Sequence, residues 1–167
     1  MAATTQFNQY TGSAAGTKNA GATTCYFMAA DTTSSTANRD ANPVTVPSSG
    51  NAYSYELWYK LEATGGTFTS ISDIRHYNSA APGTGLSIET SANTGTPSNP
   101  TGTTPVVTDS TFATTAMPTS DPGAATISGT LTSATDESGY VVTQITVAST
   151  ATAGFSATQT WKWAEVV

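Results

Sequence analysis

Ala52-Tyr-Ser-Tyr-Glu-Leu-Trp-Tyr-Lys-Leu-Glu-Ala63 is the stretch that decides the fold. Tyr53, Tyr55, Leu57, Tyr59 and Leu61 fall on every second position, with Ser54, Glu56, Trp58, Lys60 and Glu62 between them. Side chains on a strand alternate faces, so the first set makes an apolar, aromatic face. The second set makes a charged face that carries one tryptophan. A helix would scatter the same residues around its circumference. A strand with such a face cannot hide it alone, and a second sheet must cover it. The expectation is a sandwich.

Bulk composition agrees. The 167 residues fit one domain with a real core. Threonine supplies 35 positions, and a β-branched residue in that number suits pleated surfaces better than helices. The net charge of -6 comes with five basic residues, Lys18, Arg39, Lys60, Arg75 and Lys162, that never cluster. Binding nucleic acid through its phosphates is therefore not expected. No apolar run reaches the length of a membrane helix. The first residues, Met-Ala-Ala-Thr-Thr-Gln, do not read as a secretory signal. One cysteine, Cys25, excludes an intrachain disulfide.

Residues 1–40 are rich in Ala, Thr, Gly, Asn and Ser and read as a polar N-terminal arm with loops. Phe7 and Tyr10 are its candidate anchors on a neighbouring subunit, and Thr24–Ala30 its one short strand. Residues 41–167 are read as the sandwich domain. Pro43–Pro47 reads as an edge strand between prolines. In Thr67–Asn78, Phe68, Ile71, Ile74 and Tyr77 recur every third residue, which predicts a strand interrupted near Ser70–Ser72 by a bulge. Leu86–Thr90 and Pro105–Thr108 are short strands flanking a long polar loop at residues 91–104. Thr126–Leu131 and Tyr140–Ala148 read as a pair joined across Asp136–Gly139, with Val141, Ile145 and Val147 on one face. Phe155–Val166 closes the chain as a strand. This succession is the pattern of a single antiparallel β-sandwich, jelly-roll-like in layout.

Signatures of catalysis are sparse. His76 is the one histidine, and neither a nucleophile elbow nor a catalytic-cysteine motif accompanies it. Cys25 and His76 lack the neighbours of a zinc site. Glu56 and Glu62 share a face of the long strand, but six residues at about 3.3 Å each put them roughly 20 Å apart, too far for a glycosidase pair. Asp31, Asp40, Asp109, Asp121 and the Asp136-Glu137 doublet read as turn carboxylates without the calcium-loop pattern. No cofactor, catalytic residue or metal ligand is assigned. Trp161 and Trp163 read as core, whereas Trp58, between Glu56 and Lys60, is the candidate for an exposed contact.

The Tyr53–Leu61 strand, Ser70-Ile-Ser-Asp-Ile-Arg-His-Tyr77, Ala116-Met-Pro-Thr-Ser-Asp-Pro122 and the close at Thr160-Trp-Lys-Trp-Ala-Glu-Val166 carry a likeness. The layout of residues 52–167 resembles structural proteins of tailed-bacteriophage virions, above all capsid decoration (cement) proteins. The resemblance implies a non-enzymatic virion protein, made in the host cytoplasm and bound to the capsid exterior. It also implies contact with the major capsid protein and self-association, with a trimer favoured. Phe7, Tyr10, Trp58 and Lys60 are the expected partner contacts. A phage tail or fibre component shares the composition, and a carbohydrate-binding β-sandwich module using Trp58 or the C-terminal tryptophans, Trp161 and Trp163, as a stacking platform is the alternative from another class.

Overall fold

The computed structural model describes residues 2–12, 15–93, 115–152 and 159–167. The chain is all-β and antiparallel, with strands β1 (Thr4–Thr11), β2 (Thr17–Ala20), β3 (Asn51–Tyr53), β4 (Leu57–Gly65), β5 (Ser70–Asn78), β6 (Leu86–Asn93), β7 (Thr115–Ala116), β8 (Tyr140–Ala148) and β9 (Gln159–Val166). One sheet runs β2-β1-β4-β8-β6-β7, with β3 also paired to β8, and a second joins β5 to β9. The smaller sheet covers the larger. Ile71 and Ile74 of β5 pack with Leu57, Tyr59, Leu61 and Val141 in one buried cluster. The sandwich expected from the sequence is present, and Val141, Ile145 and Val147, read as sharing one face, are all buried.

The decisive stretch is two strands rather than one. Asn51–Tyr53 pairs with Thr146–Ala148, and Leu57 resumes opposite Thr143. From Tyr53 to Leu57 the chain takes four steps where β8 takes three. One extra residue is a bulge, and it exchanges the two faces. Ala52 now lies opposite Val147, and Tyr59 opposite Val141, so Tyr53 is turned away from the Leu57-Tyr59-Leu61 face. Tyr53 and Tyr55 are only half-buried, while Ser54 and Glu56 are buried.

A second bulge explains the threefold spacing in β5. The register against β9 slips by one residue between Ser72 and Arg75, and Asp73 takes a positive φ of 52°. Left-handed backbone is one that aspartate tolerates better than most side chains. The slip lets Ile71 and Ile74, three apart, both reach full burial. Beyond it, alternation returns with Ile74, His76 and Asn78 inside. The interruption lies just after the Ser70–Ser72 position read from the sequence.

The N-terminal segment is not an arm. β1 sits between β2 and β4 inside the large sheet, with Phe7 opposite Leu61 and Tyr10 opposite Trp58. Its polar residues do not oppose burial because they are bonded: Gln9 donates to Thr32 O at 3.0 Å and accepts from Ser34 N at 2.7 Å. A short helix, α1 (Thr36–Ala41), follows, capped where the Ser35 hydroxyl accepts from Asn38 N at 3.1 Å. Thr24–Ala30 and Pro43–Pro47 are not strands and contribute the single bridge Met28–Pro43. Thr126–Leu131 is not paired with β8. It bridges β5 instead, Ile127 to Ile74 and Leu131 to Ile71. Pro105–Thr108, Asp109 and the first residues of the Phe155–Val166 strand lie outside the described residues.

Candidate functional site

Both faces of β4 are buried, so the face expected to meet solvent becomes a polar interior. Trp58 is fully buried, Glu56 is 2% and Glu62 6% exposed. Trp58 Nε1 donates to Glu56 Oε2 at 3.1 Å, and Tyr140 meets the indole edge-on with centroids 5.4 Å apart. Tyr10 packs beside Trp58 at 7% exposure. Phe7 lies on the opposite face of β1, its ring 4.9 Å from that of Trp161. Tyr10 and Trp58 are thus committed to the chain's own packing and are not a free contact surface, and Phe7 is half-buried against it. Lys60, at 20% side-chain exposure, is partly accessible.

Around Lys60 the fold gathers a cluster that the sequence does not advertise. An isolated bridge brings Glu137 beside Glu62. Lys18 Nζ lies 3.0 Å from Glu62 Oε2 and 2.9 Å from Glu137 Oε1. Lys60 Nζ lies 3.3 Å from Glu137 Oε2 and 4.2 Å from the Tyr140 ring centre, a cation over an aromatic face. Tyr10 donates its hydroxyl to Glu137 Oε1 at 2.5 Å, and Gln6 Nε2 donates to Glu62 Oε2 at 2.7 Å. Asn8, with no exposed surface, gives its amide hydrogens to both acids, 2.7 Å to Glu62 and 3.0 Å to Glu137. Two carboxylates and two ammonium groups balance.

Burial alone would raise both acids, yet the donors outweigh it. Hydrogen bonds from Lys18 and Tyr10, with the charges of Lys60 and Lys18, hold Glu137 down to about 2. Glu62 is lowered by its bonds from Asn8, Gln6 and Lys18. Lys18 is raised, chiefly by its bond to Glu137. A glycosidase pair needs one carboxyl kept protonated, and this pair is held ionised at both members.

The second polar group lies between the sheets. His76 is 2% exposed, its Nε2 is 3.0 Å from Gln159 Oε1, and its ring packs tilted against Trp161 with centroids 4.6 Å apart. Burial lowers its pKa to about 4, so the imidazole is neutral near pH 7. Cys25 is half-buried, and burial raises its thiol to about 11, against opposing bonds from Tyr59 and Gln159. A raised thiol and a neutral histidine, each bonded to Gln159, are the reverse of an activated nucleophile.

The turn carboxylates have partners. Asp31 accepts from Gly12 N at 2.7 Å, and Asp136 accepts from Thr132 N and Ser133 N. Asp121 binds Arg75 and Lys162, which together with the Gly123 N–H hold it well below the ordinary carboxylate range. Among the described residues no three His, Cys, Asp or Glu are placed to hold a metal ion. Neither a family model, nor a curated protein, nor a solved structure matches this chain.

Proposed function

We propose that this chain is a structural virion protein that binds and stabilises a phage capsid as a decoration protein, acting through contact rather than turnover. The observation that carries the reading is how its reactive side chains are spent. Glu62, Glu137, Lys18, His76 and Asp121 are each engaged in bonds that hold one strand to another. What the molecule offers outward is strand edge and small polar surface. Among the described residues β9 pairs only with β5, and Lys162, Ala164 and Val166 point outward along it, Val166 at 53% exposure. Such an edge can add to a neighbour's sheet, and many shallow contacts repeated by symmetry on a shell give avidity. The major capsid protein is the proposed partner, homotrimers the proposed oligomer, and a jelly-roll path is part of the same reading.

The test is binding to preformed expanded capsids. Purified protein should co-sediment with them and raise the temperature at which they release DNA. Failure to bind would move the reading to a tail or fibre position. For the sugar-binding alternative Trp58 is not available, having no exposed surface, and half-buried Trp161 and Trp163 are the platform that is left.

A further inference from the structure

The Asn8 cluster holds the parts of a bond-forming site, and we infer that Asn8 and Lys18 condense into an intramolecular amide cross-link between β1 and β2. Asn8 supplies the electrophile. Its side chain is wholly buried, and its carbonyl oxygen accepts from Gly21 N at 3.3 Å, a donor placed to take the charge that develops on that oxygen. Its amide nitrogen, the leaving group, contacts Glu62 Oε2 and Glu137 Oε1. Lys18 supplies the nucleophile, and its Nζ touches the same two oxygens.

That sharing selects Lys18 over Lys60. Lys60 is the direct cross-strand partner of Asn8, but it reaches only the other oxygen of Glu137 and is held over Tyr140. Lys18 lies diagonally across the β1–β2 ladder, since Tyr10 pairs with Lys18 and Asn8 with Ala20. Diagonal neighbours on one face are separated by about 7–8 Å, within reach of a lysine side chain.

The step balances without an added reagent. The Lys18 side chain is 39% exposed, and its ammonium gives one proton to solvent, leaving a neutral amine. Its Nζ forms a bond to Asn8 Cγ as the Cγ–Nδ2 bond breaks. The attacking nitrogen gives its second proton to the ionised Glu62–Glu137 pair, which passes it to the old amide nitrogen, and that nitrogen departs as ammonia. Nothing is oxidised or reduced. Glu62 and Glu137 act as proton carriers touching the reacting nitrogens, and positioning supplies the effective concentration of the amine. Afterwards Lys60 remains as counter-charge to the acids.

Mass spectrometry of the intact, folded protein after incubation at neutral pH tests this. The expected mass is below that of the sequence by one ammonia. Trypsin should no longer cut after Lys18, giving one peptide that runs on to Arg39 and lacks that ammonia. Lys18→Arg, which keeps the charge, should restore the full mass, and Glu62→Gln with Glu137→Gln should slow or abolish the loss. Full mass in the wild-type protein with normal cleavage after Lys18 would overturn the proposal. Loss of ammonia that persists in Lys18→Arg would overturn it too, pointing to a succinimide at Asn8 or a link to Lys60.

Discussion

At the scale of single residues, His76 and Glu137 govern how the fold responds to acid, and they do so in separate windows. The folded pKa of His76 is about 4 against an ordinary 6.5, so the unfolded chain binds its proton first. Its contribution to stability is complete above pH 6.5 and is lost as pH falls toward 4. The span corresponds to about 3 kcal/mol. While Lys18 is an ammonium, Glu137 falls from an ordinary 4.5 to about 2, so its contribution is complete above pH 4.5 and is lost between there and about 2. Melting temperature measured from pH 7 downward should therefore decline in two stages. His76→Gln should remove the first stage and leave the second. A wild-type profile flat between pH 6.5 and 4.5 would contradict the burial assigned to His76.

At the scale of elements, the lesson of β4 is that it has no solvent face. Trp58→Ala should cost about 3–5 kcal/mol by denaturant titration, as deletion of a fully buried indole does. Little loss would return Trp58 to the surface. Strand type was readable in β4, β6, β8 and the described part of β9, and in β5 despite its threefold spacing. Face was not, because each bulge inverts the pattern by one residue, at 53–57 and again at 72–75. The threefold spacing of Ile71 and Ile74 betrayed the second bulge, whereas unbroken alternation through Tyr53 and Tyr55 concealed the first. β1 was missed for a related reason. Thr-Thr-Gln-Phe-Asn-Gln-Tyr-Thr looks too polar to bury, and only its partners, Glu62, Glu137 and the loop at Thr32–Ser34, show that Asn8 and Gln9 are bonded inside. The Glu62–Glu137 cluster was equally invisible, since its members lie 75 positions apart in the chain and meet through one bridge.

At the scale of the whole molecule, polar interior replaces much of the apolar core that the composition withholds. Hydrophobic residues are 37% of the chain, and Asn8, Gln9, Ser54, Glu56, Glu62, His76, Asn78 and Gln144 are all buried beside them. Buried polar groups specify one arrangement when their bonds are made, as those of Asn8, Gln9 and Glu62 are, which suits a protein whose proposed work is to present a fixed surface many times over. The direct measurement of that role is the number of copies of this chain in a purified virion, by quantitative mass spectrometry against the major capsid protein. A decoration protein is predicted to be present in a fixed, high ratio to the capsid subunit, and complete absence from the particle would contradict the account.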